Sequence, residues 1–119
     1  MCGKTIWTAE TSADSGVWSA DNPAYGECAV TALLIQDLFG GELLRVVVVH
    51  ADGAKESHYY NRLPDGNDPD LTRGQFKNFV TEGPPEVRSR EYVLSYEPTR
   101  RRYEQLRANA IAALAALID

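Results

Sequence analysis

Cys28-Ala29-Val30-Thr31-Ala32-Leu33-Leu34-Ile35-Gln36-Asp37-Leu38-Phe39-Gly40-Gly41-Glu42-Leu43-Leu44-Arg45-Val46-Val47-Val48-Val49 decides the fold. Between Ala29 and Phe39 the polar residues are Thr31, Gln36 and Asp37. At about 100° per residue these fall far apart around a helix, so no single wet face exists and the helix is a buried one. Gly40-Gly41 ends it, because a glycine there takes the left-handed conformation freely. Leu43–Val49 is β-branched with almost no alternation, which predicts a central strand covered on both faces.

Downstream, Ala51-Asp52-Gly53 turns the chain and His58–Leu63 reads as the next strand. Pro64-Asp65-Gly66-Asn67 is a turn, Asp68–Thr72 returns as a strand, and a short helix is expected near Arg73–Val80. Glu82-Gly83-Pro84-Pro85 reads as a loop and Arg90–Ser95 as a last strand. A C-terminal helix runs from about Pro98-Thr99 to Ile118, with Tyr103, Leu106, Ala110, Leu114 and Leu117 as its apolar stripe. Upstream, a helical start is expected at Lys4–Ala9, and Asn22-Pro23 favours a turn and bars helix at Asn22. The expected fold is α+β: a central buried helix packed on an antiparallel sheet, with a C-terminal covering helix.

The length of 119 residues implies a single domain, 1–119, with one real core. A chain 44% apolar and 24% charged is globular and not disordered. Two cysteines are too few for a disulfide scaffold, which points to a reducing cytoplasm. No signal-peptide run and no stretch of about 18 apolar residues is seen, so no membrane is expected. The net charge of −5 argues against nucleic acid, and Arg100-Arg101-Arg102 reads as a solvated first turn.

Cys28 is the residue best placed for chemistry. At a helix start, unpaired N–H groups and the helix dipole favour thiolate, and the same amides can stabilise an oxyanion. On position alone, the plainer reading is a small apolar core residue. His58, thirty residues on, and Asp70 complete the residue types of a Cys–His–Asp site, in which histidine moves the proton and the carboxylate orients it. Direct pairing of His58 with Asp70 requires a five-residue loop, Arg62–Gly66, whereas a two-residue Asp65-Gly66 turn would leave Asp70 opposite Asn61. Asn61 is the reserve orienting residue. Trp18, Tyr59 and Tyr60 are read as core or cleft-wall residues able to line a binding groove. His50 reads as structural or exposed. No cofactor is expected, and the spacing of Cys28, His58 and Asp70 matches no recurrent zinc pattern.

Trp18, Asn22–Leu33, Gln36–Gly41, His58–Leu63 and Asp70–Phe76 together resemble the YunG-like family of small bacterial proteins, over most of the chain. The order Cys28, His58, Asp70 is also similar to the core of papain-like and transglutaminase-like cysteine enzymes. That second resemblance implies an oxyanion donor six positions before the nucleophile, here Asn22. Glu27 stands where the YunG-like pattern has glutamine, and its charge would oppose a thiolate. Tyr60 stands where transglutaminase-like enzymes have tryptophan. Two functions follow as expectations. One is a cysteine hydrolase or acyltransferase acting on an amide or isopeptide bond. The other is a non-catalytic module binding a peptide or protein in the same groove.

Overall fold

The computed structural model describes residues 6–22, 24, 26–70 and 78–118. A 3-10 turn at Ala9–Thr11 precedes helix α1, Cys28–Phe39. Strands β1 (Glu42–His50), β2 (Lys55–Arg62) and β3 (Phe79–Arg88) follow, then helices α2 (Arg90–Leu94) and α3 (Glu97–Ile118). The described strands form one antiparallel sheet in the order β2-β1-β3, so the valine-rich run is central as its composition requires. The fold is α+β.

The helix α1 begins at Cys28, and Gly40, with φ +77°, closes it as its N–H donates to the Gln36 carbonyl. Val30, Ala32 and Leu33 bury into a core shared with Leu43 of β1, Val93 of α2, and Tyr103 and Leu106 of α3. The helix packs chiefly on β2 and α3, reaching β1 through Leu43. Its last turn is wet, with Leu38 and Phe39 more than half exposed, so the expectation of burial all round holds only as far as Ile35. Leu44, Val46 and Val48 are buried on the sheet's other face.

Five expected elements are corrected. Glu82-Gly83-Pro84-Pro85 lies inside β3, not in a loop. Proline is tolerated because β3 is an outer strand of the described sheet. A bulge there pairs Arg45 with Glu86 but Val47 with Glu82, two residues further than a regular ladder would reach. Arg90–Ser95 is not a strand but contains α2, whose start is capped by Ser89: its Oγ accepts from the Tyr92 N–H at 3.0 Å. The cap and Glu91 in the first turn outweigh the strand preference of Tyr92-Val93. Asp68–Asp70 is irregular, not a strand, and Phe79 and Val80 belong to β3, not to a helix. The rest of those two expected elements, Leu71–Lys77, lies outside the described residues.

Ile6–Thr8 is likewise non-helical, with the turn delayed to Ala9–Thr11 by the Thr8–Thr11 capping box. The N-terminal segment is tied down by Trp7 Nε1 donating to Thr31 Oγ1 at 2.9 Å. Asn109 Nδ2 donates to the Ile6 carbonyl at 3.0 Å.

The helix α3 covers the core through Tyr103 and Leu106, while Leu114 and Leu117 of its expected stripe are exposed because the helix outruns the core beneath it. Arg90 joins the helices, pairing with Asp37 at 2.7 Å and donating to Tyr103 Oη at 2.7 Å and Gln36 Oε1 at 3.0 Å. Among the described residues no helix is long and apolar enough to cross a membrane.

Candidate active site

Two backbone devices place Cys28. Gly26 has φ +70°, its carbonyl accepts from the Ala13 N–H at 2.9 Å, and a Cβ there would meet Ser12 Oγ at 2.3 Å. Only glycine fits this approach, which pins the turn entering α1 to the 12–13 loop. Glu27 follows as the residue capping α1, and its backbone carbonyl accepts from the Thr31 N–H. Cys28 is then the first helical residue and remains partly accessible. Its backbone N–H is among those left unpaired at a helix start, beside the positive end of the dipole.

His58 sits in β2 opposite Val46 and is 3% exposed. Its Nε2 lies 2.7 Å from Asp70 Oδ2, and both side chains are largely buried. Burial alone would lower the His58 pKa. Hydrogen bonds with Asp70 and Cys28, and the charges of both, outweigh it and push the pKa up to about 9. Cys28 and Asp70 thus act on the same ring. The connection achieving this is irregular: Leu63 N–H donates to Asn67 O at 2.7 Å and Asn61 N–H to Pro69 O at 3.3 Å. Asn61 therefore meets Pro69, where the five-residue loop would have set it against Asn67. Tyr60 stacks on His58 with centroids 6.0 Å apart and planes 17° apart.

The alternation of β2 separates its two tyrosines. Tyr59 lines a cavity of about 180 Å³ around Cys28, and Tyr60 lines one of about 340 Å³ on the other face with His58 and Asp70. Burial pushes the Tyr59 phenol up, so it stays a neutral hydroxyl. Asn61 has a different task from orienting His58: 1% exposed, it donates from Nδ2 to the Ala32 carbonyl at 2.8 Å and ties β2 to α1. Asn22 is half-buried in the preceding loop, where its N–H donates to Ser19 O, and it is not among the walls of the Cys28 cavity. Trp18 is half-buried, its N–H bonded to Asp14 O, and also stands outside those walls. His50 pairs across the hairpin with Glu56 at 2.6 Å. Among the described residues no group of three or more His, Cys, Asp or Glu is placed to hold a metal ion.

Glu27 departs most from its sequence reading. It is fully buried, its Oε1 is 2.6 Å from Thr11 Oγ1, and burial pushes its pKa up to about 7, against a smaller lowering by the Thr11 bond. Its carboxyl is directed at Thr11 and does not line the Cys28 cavity. Below pH 7 it is mostly neutral, so the expected repulsion of a thiolate does not operate there. Arg102 was also missed as a site residue. It borders the Cys28 cavity from α3, and only its position one residue before buried Tyr103 hinted at this.

The comparisons agree with the run of motifs. The model of the YunG protein family matches residues 4–115. An uncharacterized protein YunG of Bacillus subtilis (strain 168) is 35% identical over 74 residues. That match covers 62% of this chain and 56% of the relative, so it spans little more than half the relative's length. No solved structure is significantly similar. With the family model covering nearly the whole chain and the Cys28, His58 and Asp70 segments inside it, the chain belongs to the YunG family.

Proposed function

We propose that the protein is a small cysteine hydrolase or acyltransferase acting on an amide or isopeptide bond, with Cys28, His58 and Asp70 as its reacting group. The observation that carries this is the buried 2.7 Å His58–Asp70 contact, on a ring whose pKa is raised by Asp70 and Cys28 together. With Nε2 on Asp70, a proton exchanged with the thiol would have to pass through Nδ1. A His58 pKa near 9 keeps the ring an imidazolium at neutral pH, the form that stabilises a neighbouring thiolate.

The thiolate attacks the carbonyl carbon, forming a C–S bond while the carbonyl electrons move to oxygen. The Cys28 N–H at the start of α1 is placed to stabilise that oxyanion. Collapse breaks the C–N bond, and His58 gives its proton to the leaving amine. Neutral His58 then deprotonates water, or an acceptor amine, which attacks the thioester and releases Cys28. Cysteine at a helix start, with histidine on a following antiparallel strand and a carboxylate beyond it, supports a papain-like or transglutaminase-like core.

The alternative is a non-catalytic module binding a peptide in the same cavity. It draws on Asn22, the expected side-chain oxyanion donor, standing outside the walls of the Cys28 cavity. Alkylation by iodoacetamide separates the two readings. In a Cys2→Ser background, His58→Ala slows alkylation of Cys28 near pH 7 if the pair is reactive. Equal rates with the fold intact reject the enzyme. Hydrolysis of peptidyl aminomethylcoumarin amides is expected to fall about 10²–10⁴-fold in His58→Ala.

A further inference from the structure

The small cavity around Cys28 is built from three parts of the chain: Ala13 and Gly26 before α1, Ser57 and Tyr59 of β2, and Thr99 and Arg102 of α3. At about 180 Å³ it is below the roughly 300 Å³ of drug-sized sites, so it takes one residue-sized group. Arg102 is half-buried at its border, and its side chain has no hydrogen bond or ion pair among the described residues. Its neighbour Arg101 is 3.8 Å from Glu97, and Arg90 is paired with Asp37. Glu56 also reaches the cavity, but its carboxylate is held by His50. Arg102 further borders a second cavity of about 430 Å³, so it is a wall residue of both.

A guanidinium offers five donors in a fork that matches a carboxylate. The first turns of α1 and α3 both meet the cavity, adding the positive ends of two helices. These positive groups face the Glu56 carboxylate across the cavity, in a chain of net charge −5.

We infer that Arg102 makes this cavity a carboxylate subsite, so that the substrate of Cys28 carries a carboxylate beside the carbonyl that is attacked. The inference rests on the proposed cysteine chemistry for the word substrate, but the subsite itself is tested separately. The carboxylate comes either from the C-terminus of a peptide or from an acidic side chain.

Iodoacetate and iodoacetamide bring the same electrophilic carbon and differ by a carboxylate against an amide. In the Cys2→Ser protein, the iodoacetate-to-iodoacetamide rate ratio at Cys28 is measured against that of N-acetylcysteine. The protein's ratio is expected to be higher by about tenfold, equivalent to about 1.4 kcal/mol. It falls towards the free-thiol value in Arg102→Gln and with added salt, and persists in Arg101→Gln. A ratio equal to that of N-acetylcysteine, or an equal fall in both arginine variants, overturns the subsite.

Protection of Cys28 from iodoacetamide identifies the source of the carboxylate. Protection by acetyl-dialanine but not its amide assigns the C-terminus, and protection by acetyl-glutamate amide assigns the side chain. Equal protection by all three, or by none, overturns the inference. Indifference of the iodoacetamide rate to His58→Ala, with the iodoacetate preference intact, removes the catalysis and leaves the subsite.

Discussion

Thr11 and Glu27 lie side by side in the core, where burial holds the carboxyl neutral against a smaller opposing effect of the Thr11 bond. Thr11 Oγ1 lies 2.6 Å from Glu27 Oε1 and 2.9 Å from the Thr8 carbonyl, and accepts from the Thr8 N–H at 3.0 Å. One hydroxyl proton cannot serve both acceptors. If Thr11 donates to Thr8 O, Glu27 supplies its own proton to Thr11, and every Thr11 bond is satisfied. Burial of both side chains, with no cation paired to Glu27 among the described residues, favours the same state.

Stability should therefore fall as pH rises. Glu27 has its ordinary pKa near 4.5 when unfolded and about 7 when folded, so the native state binds more protons between those values. Its contribution declines from about pH 4.5 and levels off above about 7, a loss on the order of 3 kcal/mol. Glu27→Gln keeps a neutral hydrogen-bonding group there, and the decline should vanish. Urea melts across that pH range check this, and parallel profiles for both proteins would show that Glu27 ionises without cost.

His58 titrates in the opposite sense to an ordinary buried histidine. Its folded pKa is raised from 6.5 to about 9, so the pair's stabilisation is full below about 6.5 and is lost as pH passes about 9. An NMR titration of the His58 ring should find a midpoint near 9. In Asp70→Asn the burial penalty faces fewer opposing interactions and the midpoint should drop. A midpoint unmoved by that change would mean Asp70 does not hold the imidazolium.

Asn61→Ala should lower stability by about 1–3 kcal/mol, the cost of disrupting a buried hydrogen-bonded pair. The His58 titration should stay in place, because Asn61 serves Ala32 on α1. A thermal melt and the same NMR signal separate a tie between elements from an orienting group.

Gly26→Ala should disturb folding and the thiol together. Its Cβ would stand 2.3 Å from Ser12 Oγ and 2.9 Å from Ala13 N, at a φ that costs an L-residue about 1–2 kcal/mol. Movement of the 12–13 loop to relieve the contact shifts the wall beside Cys28. A lowered melting temperature with a changed iodoacetamide rate is expected, and an unaltered protein would show the approach to be soft.

What could be read from the chain divides along physical lines. The helix at Cys28 and the strand at Leu43 announce themselves because a continuous apolar run bounded by Gly40-Gly41 has few alternatives. The helix at Arg90 was hidden because Tyr92-Val93 favours strand and the deciding contact is the single Ser89 cap. Pro84-Pro85 reads as loop unless the outer position of β3 is already known. The residue types and order of Cys28, His58 and Asp70 were legible, but the irregular path through Asn67 and Pro69 that brings Asp70 to His58 was not. Glu27 and Arg102 were misjudged for a shared reason: burial and cavity walls depend on partners many residues away, here Thr11 and the turn at Gly26.

The proline-bearing bulge of β3 also governs how this molecule meets others. An outer strand is a template for intermolecular pairing, the route to aggregation. Pro84 and Pro85 carry no N–H to offer an incoming strand, and the bulge breaks the repeat that such a strand would have to follow. Lys55 and Glu82, paired across the sheet at 2.9 Å, and Glu86 with Arg88 at 2.8 Å place charge on both sides of the break. The sequence Gly83-Pro84-Pro85 thus makes the β3 margin of the described sheet a poor template for an added strand.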